Sequence, residues 1–198
     1  MGRSSVLRSL LVGALLVAGA AGCSWGVGTA PEDYVPDDGA PGASGGADGA
    51  AAVDLLVDGP QEAVAELRAA VGGPVRALQL TVYPDSVYLE AQRPGDPGRV
   101  DVYRWDAGEG ASEGGEKDVA GVDLEAQLFA LSQVDLSALP GLVADAPGLT
   151  GVRGDVTSSV TVQRPAGSPT LVTVFVSTPR GQNGAVVADA AGNVLSTT

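Results

Sequence analysis

The chain has 198 residues, no histidine, one cysteine and a formal net charge of −13 at pH 7. A surface this acidic repels nucleic acids and anionic lipid headgroups, so we expect no nucleic-acid partner. Without histidine and with a single lysine, Lys117, the chain lacks the usual catalytic bases, and it has no His/Cys set for a metal. We therefore expect a protein that is not an enzyme and that holds neither a cofactor nor a metal.

The N-terminus has the pattern of an export signal. Arg3 and Arg8 precede an uncharged run over residues 10–21. This run of about twelve residues is short of the roughly 20 that a membrane-spanning helix needs. A basic start, a short apolar run and then small residues are typical of a secretory signal peptide. Residues 1–22 are therefore predicted to be removed.

The only cysteine falls directly after the apolar run. Ala20-Ala21-Gly22-Cys23 resembles the lipobox of bacterial lipoproteins, although leucine is commoner than alanine at the position of Ala20. The alternative is an ordinary secreted protein with a chance cysteine. Two or more acyl chains hold a protein firmly on a membrane. We expect Cys23 to be lipidated and the protein to be anchored on the extracytoplasmic face of the cell membrane.

Residues 23–52 are predicted to be the lipidated cysteine followed by a flexible linker. Glycine, alanine, proline and aspartate dominate this segment, which has too little apolar surface to form a core. Glu32, Asp33, Asp37 and Asp38 do not have the spacing of a calcium loop. These carboxylates indicate a solvated tether instead.

Residues 53–120 are predicted to form a helix followed by antiparallel strands. Asp58-Gly59-Pro60 is typical of a capped helix start, and Gly72-Gly73-Pro74 of a helix end. Val64, Leu67, Ala70 and Val71 would form the apolar stripe of this helix. Period-2 alternation predicts strands over residues 76–83, 86–93 and 99–106. Residues 108–121, rich in glycine and glutamate, are predicted to be a loop.

Residues 121–198 show the same order of elements. An apolar segment at Leu128, Phe129 and Leu131 precedes a short helix, capped by Asp135 or Ser137, that is expected to end by Pro147. Strands are predicted over residues 159–164, 171–178 and 185–190. Asn183-Gly184 is the strongest hairpin-turn signal in this half.

A repeated tripeptide suggests that the two halves are copies. Gln92-Arg93-Pro94 recurs as Gln163-Arg164-Pro165, each after an alternating strand and before a Gly/Pro turn. Val100, Val102 and Tyr103 then match Val172, Val174 and Phe175, if the second loop is one residue longer. The predicted fold is α+β, with two tandem repeats of a helix plus an antiparallel sheet over residues 53–120 and 121–198.

These motifs resemble those of a group of actinobacterial exported lipoproteins, and the resemblance spans most of residues 55–198. The motifs are Leu80-Thr81-Val82-Tyr83-Pro84-Asp85, Gln92-Arg93-Pro94, Val100-Asp101-Val102-Tyr103, Val134-Asp135-Leu136-Ser137-Ala138-Leu139-Pro140 and residues 184–193. The architecture is similar to tandem PepSY-like domains and to the helix-on-sheet fold of the β-lactamase-inhibitor-protein type. The resemblance implies no catalytic residue. It implies a binding role, because some PepSY-like proteins inhibit or bind other proteins.

The alternation also indicates a candidate binding face. The residues expected to pack on the helix are Leu78, Leu80, Val82, Val87, Leu89, Ala91, Val100 and Val102. The opposite face would then carry the aromatic side chains Tyr83, Tyr88, Tyr103, Trp105 and, if the repeat holds, Phe175. Exposed tyrosine and tryptophan are favoured binding anchors. The alternative is that these rings pack against the other repeat or a loop, or are simply good strand residues.

The leading functional hypothesis is a membrane-tethered, non-enzymatic binding or regulatory module with a protein partner in the cell envelope. A lipoprotein that carries a small apolar ligand between sheet and helices is the alternative. A hydrolase that uses paired carboxylates is the least favoured reading.

Cys23→Ala is expected to leave an unlipidated precursor, because the thiol is the group that accepts the diacylglyceryl moiety. Intact-mass analysis of wild-type protein extracted from membranes should show loss of residues 1–22 and diacylglyceryl mass on Cys23. Wild-type protein found mainly in the medium without acyl mass would contradict the lipid anchor.

Overall fold

Alternating hydrophobicity organises residues 53–198, the part of the chain that the computed structural model describes, into one antiparallel sheet with helices. The predicted signal peptide, Cys23 and the predicted linker lie outside the described residues. The helices are α1 (Gln61–Val71), α2 (Leu124–Gln127) and α3 (Leu139–Thr150), with 3-10 turns at Leu131–Gln133 and Leu136–Ala138. The strands are β1 (Arg76–Val82), β2 (Ser86–Gln92), β3 (Val100–Asp106), β4 (Gly110–Lys117), β5 (Phe129–Ala130), β6 (Thr157–Gln163), β7 (Leu171–Ser177), β8 (Asn183–Asp189) and β9 (Val194–Thr197).

The central pair of strands joins the two halves of the described chain. The strand order is β4-β3-β2-β1-β6-β7-β8-β9, and β5 pairs with the start of β1. In the antiparallel pair β1–β6, Leu80 lies opposite Val162 and Val82 opposite Val160. All four side chains are fully buried. The predicted α+β class is confirmed, with sheet as the larger part, and the segments 53–120 and 121–198 share one sheet and one core.

Both longer helices pack on the same face of the sheet, which we call the helix face. Helix α1 buries Ala63, Val64, Leu67 and Val71 there, and α3 buries Leu139, Leu142 and Ala146. Ala70, predicted to lie in the apolar stripe of α1, is exposed. Burial of each large aliphatic side chain contributes roughly 1.5–3 kcal/mol to the hydrophobic stabilisation.

The prediction that Val100 and Val102 of β3 pack on the helix is wrong. Leu89 lies opposite Tyr103 and Val87 opposite Trp105, so both rings are on the helix face. Tyr103 is 6% exposed and belongs to the core, and Trp105 packs against the core. Val100 and Val102 lie on the opposite face. Each parity of this strand carries two large apolar or aromatic side chains, so alternation alone could not decide which set faces the helices, and a one-residue shift exchanges them.

A bulge in β1 corrects a second assignment. Ala77 lies opposite Ala91 and Gln79 opposite Glu90, which leaves Leu78 as the extra residue of the strand. An extra residue changes the side-chain parity on either side of the bulge. Ala77 therefore takes the core position, fully buried, and Leu78 is only half-buried.

The second half contains two corrections near its helix. Helix α3 continues through Pro147 to Thr150, three residues beyond its predicted end. Asn183-Gly184 is the start of β8 and not the hairpin turn, which lies at residues 178–182 with Gly181 at φ 82°. A Cβ on Gly184 would lie 2.5 Å from the Cβ of Thr150. Gly184 is therefore required by the close approach of α3 and not by a turn.

Other predictions of loops, caps and strands are wrong where the local sequence pattern is weak. The predicted loop over residues 108–121 contains β4, an exposed edge strand formed by pairing with β3. The predicted cap Asp58 makes no capping hydrogen bond to α1. Asp135 caps only the 3-10 turn before α3, where its side chain accepts a hydrogen bond from the Ser137 amide at 3.0 Å, and α3 itself has no side-chain cap. The edge strand β9 was not predicted at all.

The two tripeptides end strands with the same hairpin register. Gln92, at the end of β2, lies opposite Val100, and Gln163, at the end of β6, lies opposite Leu171. The two loops are therefore equal in length, and the predicted extra residue in the second is wrong. Val100 corresponds to Leu171 and not to Val172. The first tripeptide ends β2, the second strand after α1, whereas the second tripeptide ends β6, the first strand after α3. Matching the hairpins therefore pairs β2 with β6, whereas matching the helices pairs β1 with β6.

Tyr103→Ala is expected to lower the free energy of unfolding by about 3–5 kcal/mol, because loss of a packed ring leaves a cavity. Val102→Ala, on the opposite face, is expected to cost about 1 kcal/mol. Urea unfolding of both variants measures the difference. A larger loss for Val102→Ala would restore the face assignment that the sequence pattern first indicated.

Candidate functional site

The face opposite the two longer helices, which we call the open face, is lined mainly by polar side chains. Strand pairing places one row across its centre: Tyr88 lies opposite Thr81, Thr81 opposite Thr161, and Thr161 opposite Thr173. An antiparallel sheet tolerates one solvated face because its backbone groups are already paired within the sheet. The two ends of the open face differ in character.

Aromatic side chains gather at one end of the open face, which we call the aromatic end (Tyr83, Tyr88, Arg104 and Phe175). The rings of Tyr83 and Tyr88 meet edge to face with centroids 6.0 Å apart, and the Arg104 guanidinium lies 5.3 Å from the centre of the Tyr88 ring. Tyr83 is 41% exposed and Phe175 is 48% exposed. A depression of about 830 Å³ adjoins the two tyrosines and reaches Val53.

The five predicted aromatic residues do not form one face. Tyr83, Tyr88 and Phe175 share the open face, whereas Tyr103 and Trp105 lie on the helix face. The Trp105 indole N–H donates to Glu66 Oε2 of α1 at 3.0 Å, and burial raises the pKa of the Tyr103 phenol. Arg104, which was not predicted from the sequence, lies on the open face beside the remaining rings. The register of β2 with β3 places it opposite Tyr88.

The chain between β4 and β5 crosses the other end of the open face, and we call residues 118–128 the crossing segment. Glu125 forms an ion pair with Arg76 at 2.8 Å. Val100 and Leu128 are buried yet lie outside the main core cluster. Val122 and Gln127 of this segment border a depression of about 460 Å³ on the sheet. We call it the polar depression.

Six polar side chains line the polar depression: Gln79, Glu90, Lys117, Gln127, Gln163 and Arg164. Glu90 Oε1 accepts a hydrogen bond from Lys117 Nζ. Glu90 Oε2 is buried and has no hydrogen-bond partner among the described residues. Sequence reasoning missed this group, because Lys117 lies in a segment predicted to be a loop, and only the fold brings Gln127 of the crossing segment over the sheet.

Arg93 forms an ion-pair cluster with Asp101 and Glu116 beside the edge strand β4. Its Nε and Nη2 donate to the two carboxylate oxygens of Asp101 at 2.8 and 2.5 Å, and Nη2 also meets Glu116 at 3.0 Å. Asp101 is only 3% exposed. Hydrogen bonding from Arg93 lowers the pKa of the Asp101 carboxyl and raises that of the guanidinium. Arg93 is the arginine of the first tripeptide, the only sequence signal for this cluster.

Residues 53–198 hold no group of three or more aspartate, glutamate, histidine or cysteine side chains placed to bind a metal. None of the helices in this range has the length and hydrophobicity of a transmembrane span.

The chain matches no family model, no curated protein and no solved structure.

Asp101→Asn is expected to lower the free energy of unfolding at pH 7 by about 1–3 kcal/mol, because the hydrogen bonds lose their charge. The pKa of Asp101 is lower in the folded state, so its stabilisation is complete above the unfolded pKa of about 3.9 and is lost as the pH falls further. Urea unfolding between pH 7 and pH 3 should therefore show the variant and the wild type converging in acid. A difference that stays constant with pH would contradict the role of the ionised carboxylate.

Proposed function

We propose that the protein is a membrane-tethered extracytoplasmic lipoprotein that acts as a non-enzymatic binding module for another protein of the cell envelope. The observation that carries the proposal is the uncovered aromatic end of the open face, where Tyr83 and Phe175 are both more than 40% exposed. Large rings on a rigid strand lose little entropy on binding and are frequent hot spots of protein interfaces.

Charge favours a protein over a lipid surface as the partner. Nine basic and nineteen acidic side chains give residues 53–198 a net charge of −10. Asp54 and Asp85 border the depression beside Tyr83, and the charge of Arg104 is paired with Asp106. The partner surface that would complement this end is therefore an apolar patch surrounded by basic side chains.

The position of Val53 supports a partner in or near the same membrane. Val53 borders the depression at the aromatic end, so the chain that leads back to Cys23 joins the sheet beside the proposed contact. A fully flexible linker over residues 24–52 would have a root-mean-square reach of roughly 30 Å. Such a tether would hold the aromatic end close to proteins at the membrane surface.

The alternative functions have less support. A carrier would hold an apolar ligand between sheet and helices, but Leu67, Leu80 and Leu89 fill that space and are fully buried. The hypothesis of a hydrolase requires a pair of carboxylates that are free to act on a substrate. Asp101 and Glu90, whose side chains are 4% and 16% exposed, are already held in ion pairs with Arg93 and Lys117.

We also propose that the two halves are tandem repeats of a PepSY-like unit. Each half has one longer helix that is followed by four strands, β5 being an additional short strand before α3, and the first strands after the two helices, β1 and β6, pair at the centre of the sheet. The shared hairpin register of the tripeptides supports a common origin of β2–β3 and β6–β7. Helix order instead matches β2–β3 with β7–β8, so only one of these two equivalences can reflect a duplication.

Phe175→Ala in the full-length tethered protein is expected to weaken partner binding about 30-fold, equivalent to about 2 kcal/mol, as loss of an aromatic anchor does. Leu149→Ala is the matched control, because Leu149 is 45% exposed and lies on α3. Proteins that co-purify from detergent-solubilised membranes are isolated, and their affinities for both variants are measured by titration.

Two results decide the proposal. Salt should weaken the wild-type interaction, because acidic and basic surfaces attract less when screened. Equal affinities for Phe175→Ala and Leu149→Ala would remove the aromatic end from the interface.

A further inference from the structure

We propose that the protein forms a weak symmetric dimer, in which the edge strand β9 pairs antiparallel with β9 of a second copy. β9 is the last strand at one edge of the sheet, and β4 is the last strand at the other edge. An edge strand presents backbone N–H and C=O groups that are not paired within the sheet, and another strand can add to them. The two edges, however, are not equally open to such pairing.

The edge at β4 is protected, and the edge at β9 is not. β4 carries the charged side chains Glu113, Glu116 and Lys117, and α1 packs against this strand. Charged side chains on an edge strand oppose the addition of another strand. β9 has no charged side chain, and α3 packs mainly on β7 and β8. β9 is therefore the edge at which a further strand can add.

The side chains of β9 leave apolar surface uncovered. Val194 is 45% exposed and Leu195 is 57% exposed. Val194 lies opposite Ala188, which is fully buried, so Val194 extends the apolar helix face beyond the strands that α3 covers. Leu195 follows as the extra residue of a bulge in β9. A second β9 laid alongside would remove part of both side chains from water, which favours pairing.

The backbone of Thr197 is oriented to pair away from the sheet. Ala185 and Thr198 exchange two hydrogen bonds of 3.1 and 2.9 Å across the β8–β9 pair. Hydrogen-bonded and non-hydrogen-bonded pairs alternate along an antiparallel ladder, so the next pair, Val186 and Thr197, is a non-hydrogen-bonded one. The N–H and C=O groups of Thr197 therefore point away from β8, towards the position that the strand of a second copy would occupy.

The distribution of charge favours a second copy as the occupant. Residues 53–120 hold six basic and thirteen acidic side chains, a net charge of −7, whereas residues 121–198 hold three basic and six acidic ones, a net charge of −3. Residues 190–198 hold no charged side chain. Pairing through β9 therefore places the more acidic halves of two copies far apart, where their repulsion is weak. A basic partner would be drawn to the first half instead.

The symmetry of the dimer would place both open faces on the same side. Two identical edge strands that pair antiparallel are related by a twofold axis perpendicular to the sheet, and rotation about this axis does not exchange the faces. Phe175 on β7 is two strands from β9, roughly 10 Å. The dimer would thus present two aromatic ends to one partner surface, and two linked contacts bind more tightly than one. This consequence, unlike the dimer itself, rests on the proposed function.

Sedimentation equilibrium of the full chain measures the dimer without any partner. We expect a dissociation constant of roughly 10–300 µM, because two four-residue strands bury much less surface than the roughly 1,200–2,000 Å² of a stable interface. Leu195→Lys should raise this constant at least about tenfold, because a lysine on an edge strand opposes pairing. Val57→Lys is the matched control, since Val57 is 68% exposed and precedes α1, and it should leave the constant unchanged.

A wild-type chain that stays monomeric up to about 1 mM would overturn the proposal. Equal dissociation constants for Leu195→Lys and Val57→Lys would also overturn it, because the contact would then lie elsewhere. A monomeric chain whose partner binding still depends on Phe175 would remove the dimer and leave the proposed function standing.

Two measurements on the wild type locate the contact. Hydrogen exchange at the Thr197 amide should slow as the protein concentration rises, and exchange along β4 should not change. Salt should lower the dimer dissociation constant, because it screens the repulsion between two acidic copies, whereas it should weaken the proposed partner contact. Concentration-dependent protection at β4 instead of β9 would overturn the proposal. Protection of Thr197 that requires a co-purified protein would assign β9 to a strand of that protein and would overturn it as well.

Discussion

The antiparallel pairing of β1 with β6 is the contact on which the rest of the described fold depends. It places Leu80 against Val162 and Val82 against Val160 at the centre of the sheet, where all four side chains are fully buried. Separated, each half would be a sheet of about four strands with one helix, a size at which a small core is marginal. Joined, the halves share one core, so α1 and α3 must lie on the same face.

One-sided coverage by the helices has a functional consequence. A sheet with both helices on one face leaves the other face to whatever the chain or a partner provides. The crossing segment covers one end of the open face and creates the polar depression, while Tyr83 and Phe175 stay exposed at the other end. The same constraint therefore leaves the aromatic end and the polar depression at opposite ends of one face.

The two copies of the Gln-Arg-Pro tripeptide show how neighbours determine the chemistry of a residue. Arg93 has two acids within reach and forms a closed ion-pair cluster. Arg164, in the same hairpin register, faces positions where Val172 and Ala188 complete the core. Its guanidinium turns to the carbonyls of Leu128 and Ser168 instead. Identical local sequence thus yields a structural ion pair in one half and an uncompensated charge in the other.

The sequence by itself determined the α+β class, the helix α1 and most of the strands, because period-2 and period-3.6 patterns are local properties of the chain. It could not determine which side of β3 faces the core, since Val102 and Tyr103 are both apolar and only the register with β2 chooses between them. Strand β4 has no apolar pattern and forms through pairing with β3. The polar depression is lined by Glu90 and Arg164, which are far apart in the chain, and it lies beneath the crossing segment, most of which has no local hydrophobic pattern. Only the tertiary structure brings these residues together.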